Sequence, residues 1–213
     1  MWRVKSTVSL ALVVALATCL GAEEIWVPDN YSSIQQAIYA SANGDTIIVR
    51  PGVYKENIRF WGKSVIVKSE MEPEVTIIDG NRGGNSVVTF ADGETHDTVL
   101  DGFTITNGWS VSRSQERYGG GISCKQSSPT ISNNIIRGNR SEAYGGGIYC
   151  ESGTPIIISN TICYNMSNHD GGGIHCKYAD STRIIGNVIA SNSGAGISEL
   201  LTRLFRLDAI DDS

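Results

Sequence analysis

The chain is short of charge, and of positive charge in particular. Of its 213 residues only 18% are Asp, Glu, Lys or Arg, with 17 basic residues against 22 acidic ones and a formal net charge of −5. An average protein carries roughly 25%. A nucleic acid or an anionic membrane needs a clustered basic face, so neither is expected as a partner. Helical periodicity is equally scarce. Within the repeats that fill most of the chain, apolar residues alternate or form runs of two or three, as in Pro155-Ile156-Ile157-Ile158. That pattern excludes a helical fold and leaves strands and turns. Beyond the first two dozen residues no apolar run is long enough to span a bilayer.

What the chain has in quantity is glycine, 24 residues, and much of it recurs at a fixed interval. Gly119-Gly120-Gly121-Ile122-Ser123-Cys124 returns as Gly145-Gly146-Gly147-Ile148-Tyr149-Cys150 and as Gly171-Gly172-Gly173-Ile174-His175-Cys176. The interval is 26 residues, from 119 to 145 and from 145 to 171, and Gly194-Ala195-Gly196-Ile197 is a fainter fourth copy. Ile131, Ile157 and Ile184 align on the same period, as do Asn134, Asn160 and Asn187, Ile136, Ile162 and Ile189, and Asn139, Asn165 and Asn192. Such self-similarity marks a solenoid, whose repeats bury their apolar faces only by stacking. Three short strands and three turns fit in 26 residues, so the predicted fold is all-β: a parallel β-helix with one repeat per coil. The asparagines are expected to stack as amide ladders, and the triple glycines to make sharp corners.

Residues 1–22 read as a secretory signal peptide. Trp2, Arg3 and Lys5 precede the apolar stretch Val8–Leu20, with small residues Gly21 and Ala22 before Glu23-Glu24. Residues 23–45 supply an N-terminal strand and an amphipathic capping helix at Tyr31–Ala42, with Ser32-Ser33-Ile34-Gln35 as a capping box and Ile34, Ala37 and Ile38 as its apolar stripe. Residues 46–198 form the parallel β-helix. Residues 199–213 abandon the repeat and are either a C-terminal cap, with Leu200, Leu201, Leu204, Phe205 and Leu207 on a short amphipathic helix, or a truncated tail. The product is expected to be secreted or held at the cell surface, without a membrane span after signal removal, and monomeric. Cys124, Cys150 and Cys176 alternate inward with the isoleucines and stack about 4.8 Å apart. They are read as small buried hydrophobes, with disulfide pairing of neighbours or a zinc site with His175 as alternatives.

Pro51-Gly52-Val53-Tyr54-Lys55-Glu56-Asn57-Ile58, Leu100-Asp101-Gly102-Phe103-Thr104-Ile105-Thr106-Asn107-Gly108 and the repeated Gly-Gly-Gly-Ile with Asn-x-Ile together resemble the secreted right-handed parallel β-helix repeat proteins of the pectate-lyase-like superfamily, in particular those of unassigned activity. The resemblance runs over about residues 25–197 and implies the fold. Such folds host many activities. Gly52-Val53-Tyr54-Lys55-Glu56 is similar to the opening motif of pectin methylesterases, but the later Gln, Asp and Arg motifs of those enzymes are missing. The Asn-Thr-Asp, Asp-Asp and Gly-His-Gly segments of polygalacturonases are also absent from the coils, and Asp211-Asp212 lies in the tail. Calcium enters only by analogy with the lyases, and no clustered Asp ligands are present for it; no cofactor is expected.

Candidate sites follow from position. Outward positions of one sheet carry Ser123, Tyr149, His175 and Ser198 in register, and a stacked Tyr149–His175 pair offers a face and a hydrogen bond to a sugar ring. Two loops flank the coil at Leu100–Asn107. Asp92-Gly93-Glu94-Thr95-His96-Asp97 precedes it, and Trp109–Tyr118 follows with aromatics at both ends. Glu94, His96, Asp97, Arg113 and Glu116 supply acid, base and cation in the pattern glycosidic chemistry uses; Trp109 and Tyr118 supply ligand-stacking faces. His169-Asp170 is a further acid–base pair, without a nucleophile near it in sequence. The expected role is an exported β-helix that binds polysaccharide or another cell-surface glycan without catalysis. A polysaccharide lyase or glycoside hydrolase of the same fold, and a structural or adhesive solenoid, are the alternatives.

Overall fold

A computed structural model describes residues 21–111, 118–179, 181–200 and 207–211. Its strands pair in parallel, each with the equivalent strand of the coil above or below. Ile122, Ile148, Ile174 and Ile197 are register partners in succession, and so are Cys124, Cys150 and Cys176. Leu100, Ile131, Ile157 and Ile184 stack in a second column, and Ile105, Ile136, Ile162 and Ile189 in a third. The chain is a right-handed parallel β-helix, and its core is the stack of these inward columns. Phe60 and Phe90 extend the cysteine column toward the N-terminus, with ring centroids 4.5 Å apart. Each buried aliphatic side chain contributes about 1.5–3 kcal/mol, and each is supplied by alternation along a three- or four-residue strand.

A coil turns twice without losing register because two polar ladders line its corners. Asn134, Asn160 and Asn187 are buried at one corner, and Asn139 and Asn165 at the next, where Asn192 ends the ladder half-buried. Each amide accepts from the coil before and donates to the coil after, with Asn134 Nδ2 to Asn160 Oδ1 at 3.1 Å and Asn160 Nδ2 to Asn187 Oδ1 at 2.9 Å. The residue ahead of each ladder takes the left-handed conformation: Asn133 and Ser159 at the first corner, Gly138, Tyr164 and Ser191 at the second. At the third corner the triple glycines pack backbone on backbone. A Cβ on Gly146 would lie 2.5 Å from the Met166 carbonyl oxygen and 2.6 Å from that of Gly172.

The N-terminal helix is Ile34–Ala40, shorter than the predicted span, with Ser33 rather than Ser32 as its N-cap. Ser33 Oγ accepts from Gln36 N. Ile34, Ala37 and Ile38 are buried against the first coil. Both helix ends are held by coil residues. The Glu56 carboxylate accepts from Ile34 N and Gln35 N at 3.0 and 2.9 Å, and Lys63 Nζ donates to the carbonyls of Ile38, Tyr39 and Ser41 at 2.7–2.8 Å. The Gly-x-Tyr-x-Glu segment that resembles an esterase motif is therefore a helix anchor, with Tyr54 Oη donating to the Arg50 carbonyl. Of the tail, Leu207–Asp211 is a strand paired with Arg183–Ala190 and not part of a helix. Glu199 and Leu200 likewise end the strand Ile197–Leu200, paired with Ile174–Lys177, and not a helix. Most of the predicted signal peptide and residues 201–206 and 212–213 lie outside the described residues.

Candidate functional site

The sheet face predicted to display Tyr149 and His175 does point them away from the core, but it does not expose them. Tyr149 is 1% exposed and His175 3%. The cover comes from the residue ahead of each triple glycine, which reaches over the outward position one coil further on. Tyr118 stacks on Tyr149 at 4.6 Å between centroids, and Tyr144 packs on His175 at 4.6 Å. Tyr149 and His175 themselves lie parallel at 5.6 Å. This corrects the reading of Tyr118, Tyr149 and His175 as ligand-facing: their rings are spent on one another. His175 Nδ1 bonds Ser198 Oγ at 2.7 Å, and burial holds its imidazole below its ordinary pKa against the pull of Asp170. Tyr149 Oη makes no hydrogen bond among the described residues, and burial, with the Glu151 carboxylate nearby, pushes its phenol upward.

The loop candidates divide as well. Glu94 is 2% exposed and fully engaged: its carboxylate accepts from Gly62 N, Asp92 N and Ser127 Oγ at 2.7–2.9 Å. It ties three coils together and has no oxygen free for a substrate proton, which corrects its reading as a catalytic acid. His96 is exposed, with Nε2 on the Thr154 carbonyl at 2.8 Å, and Asp97 is exposed beside it. Arg113 and Glu116 lie outside the described residues. The four described cysteines are free thiols. The Cys124 thiol alongside, together with burial, holds the Cys150 thiol well above its ordinary range. Its behaviour is that of a small hydrophobe, and the zinc alternative fails because His175 faces the other side of the strand.

A groove of about 250 Å³ opens instead over the short strands Trp109–Ser110, Arg140–Ser141 and Met166–Ser167. Trp109, Arg140 and Met166 are register partners on successive coils, so they line it as three rungs about 4.8 Å apart. Arg82 and Tyr164 complete the walls. Of the predicted ligand-binding residues only Trp109 belongs to this groove. Arg82, Arg140, Tyr164 and Met166 were not singled out by sequence, because they stand far apart along the chain and no motif joins them. The lining contains no carboxylate. Arg140 Nη2 donates to Asn168 Oδ1 at 3.3 Å, and among the described residues neither arginine has an acidic partner. By contrast Arg50, Arg59 and Lys177 are all ion-paired.

No curated protein matches the chain. Among solved structures, the pectin methylesterase from Aspergillus niger, in a penultimately deglycosylated form, matches at 14% identity over 91% of this chain and 86% of that one, with a TM-score of 0.36. A likeness that distant carries nothing about activity. No described helix is long and apolar enough to cross a membrane. The family model described as periplasmic copper-binding protein (NosD) matches residues 38–203, nearly every coil, in keeping with the expected export. The chain belongs to that periplasmic β-helix family.

Proposed function

We propose that the protein is a non-catalytic binding module of the periplasm or cell exterior whose ligand is a polysaccharide or surface glycan. The observation that supports this reading is the groove over Trp109, Arg140 and Met166. It joins an aromatic wall at Trp109 and Tyr164 to guanidinium donors, along an axis that an extended chain can follow. Sugars are held by such a mixture of flat apolar faces and a few placed polar groups. The candidate catalytic residues argue in the same direction. Glu94 is committed to the fold, and His96 and Asp97 sit on an exposed loop, where the His96 ring is engaged by the Thr154 carbonyl.

The family's description names copper, which favours imidazole and sulfur donors. Among the described residues no three His, Cys, Asp or Glu side chains converge. The stacked thiols are buried and that of Cys150 is held well above its ordinary range, while His169 and His175 both pack on the Tyr144 ring. These residues do not fit a copper centre, and the proposed function carries no metal step. The test is a glycan array probed with the full chain, followed by calorimetry on the retained polysaccharides. Saturable retention of at least one polysaccharide class is the expected result; no retention at high protein concentration overturns the reading.

A further inference from the structure

The second asparagine corner carries an anomaly that the fold does not need. In four successive coils the residue ahead of the corner is Asn107, Gly138, Tyr164 and Ser191, all with φ between 55° and 65°. Left-handed backbone suits Gly and Asn and is disfavoured for a bulky side chain. Tyr164 is the exception in its column, and it is 70% exposed, so packing does not repay the conformation. Two other aromatics share this backbone, but each has a cation over its ring: Arg59 lies 4.3 Å from the Trp61 centroid and Lys177 Nζ 5.2 Å from that of Tyr178. Tyr164 has no ring, cation or hydrogen-bonding partner for its side chain among the described residues, and it stands on the rim of the groove.

The charge of the groove is equally out of keeping with the chain. A protein of net charge −5, with 22 acidic residues, leaves both Arg82 and Arg140 without a carboxylate where they face the same space, among the described residues. Arg82 also stands on left-handed backbone, at φ 52°. A guanidinium binds a carboxylate or sulfate through paired donors, which a neutral sugar cannot reciprocate. From these two features we infer that the groove selects acidic sugars: Arg82 and Arg140, on coils two apart, take anionic groups along one bound chain, and Tyr164 stacks on a ring face. This rests on the glycan-binding reading and narrows it.

The test compares three acidic oligosaccharides (an oligomannuronate, an oligogalacturonate and a sulfated galactan) with carboxyl-reduced or desulfated counterparts of the same length, by calorimetry with the full chain. At least one acidic member should bind at least tenfold more tightly than its neutral counterpart, and added salt should erode that margin. Arg82→Gln/Arg140→Gln should abolish the margin. Each single variant should cost about ten- to a hundredfold, the range for hydrogen bonds to charged groups. Tyr164→Asn should weaken binding about two- to tenfold while leaving Tm unchanged or raised, which a purely structural tyrosine would not do. Tyr178→Asn should leave binding unchanged. Equal affinity for acidic and neutral members overturns the selectivity and spares the glycan reading. Binding of neither removes both. An acidic preference that survives in the double variant overturns the groove as its source.

Discussion

Replacing Asn160 tests the physical basis of the coil. Its buried amide has five hydrogen-bonding contacts: the two Nδ2 hydrogens are shared among the carbonyls of Ile131 and Ile158 and Asn187 Oδ1 at 2.9–3.1 Å, and Oδ1 accepts from Asn134 N and Asn134 Nδ2 at 2.9 and 3.1 Å. Asn160→Ala strands the Asn134 N–H and strips the Ile131 carbonyl of its side-chain donor. At about 1–3 kcal/mol per buried unsatisfied group, the loss is about 2–4 kcal/mol, or roughly 5–15 °C in Tm for a chain of this size. Asn160→Asp keeps the shape and restores the acceptor for Asn134 N. Its second oxygen then faces three other oxygens, so the ionised form is repelled and the folded-state pKa of the new carboxyl rises above its ordinary value of about 3.9. A raised carboxyl stabilises below the unfolded pKa and loses that contribution as pH climbs through the folded one. Measured against wild type by urea melts, the aspartate variant should be markedly worse at pH 7 than at pH 4, whereas the alanine deficit should be alike at both. An aspartate deficit independent of pH, or an alanine deficit under about 1 kcal/mol, would refute the ladder as the source of corner stability.

Three further outcomes follow from other positions. Tyr149→Phe removes a buried hydroxyl with no hydrogen-bond partner, so thermal melts should show it equal to wild type or up to about 1 kcal/mol more stable. Gly146→Ala places a methyl 2.5 Å from one carbonyl oxygen and 2.6 Å from another, so circular dichroism and melting should show severe destabilisation or failure to fold. Burial depresses the His175 pKa below its ordinary 6.5, with Asp170 and Glu151 opposing and Lys177 assisting. The unfolded chain therefore takes up a proton that the folded chain refuses, and the contribution is intact above about pH 6.5 and lost as pH falls below it. Melts from pH 7.5 to 5 should show that decline in wild type and lack it in His175→Asn.

The fold was legible because every signal that makes it is periodic. Ile122, Ile148 and Ile174 fall under one another, and so do the asparagines whose amides bond across the coils. What sequence could not supply was what covers an outward face. Alternation correctly turned Tyr149 and His175 away from the core, but whether a residue facing out meets water depends on the path of a loop between coils. A signal was present all the same: Tyr118 and Tyr144 share a repeat position, immediately before the triple glycine, and each lies over the outward residue of the next coil. Glu94 was misread for a related reason. A carboxylate in a polar loop looks free until the backbone N–H groups of Gly62 and Asp92 are brought to it from an earlier coil and its own turn. The groove was hidden because its members come from four coils, and only Trp109 has a side chain that draws notice by itself.

The arrangement of ladder and corner explains why a site can arise where Tyr164 stands. A non-glycine residue in left-handed backbone costs about 1–2 kcal/mol. The neighbouring Asn165 makes five hydrogen bonds: Nδ2 to Asn192 Oδ1 and the Ile136 carbonyl, N to Asn192 Oδ1, and Oδ1 from Asn139 N and Nδ2. At about 0.5–1.5 kcal/mol each, these outweigh the cost of the conformation whatever residue precedes them. The corner is thus fixed by the asparagine inside it, and the side chain just before, turned to solvent, is released from any duty to the fold. Glycine, asparagine, serine or tyrosine all serve there structurally. A coil can then change what it presents at that point by one substitution without moving its neighbours, and the strained residue records where the surface has been given something to hold.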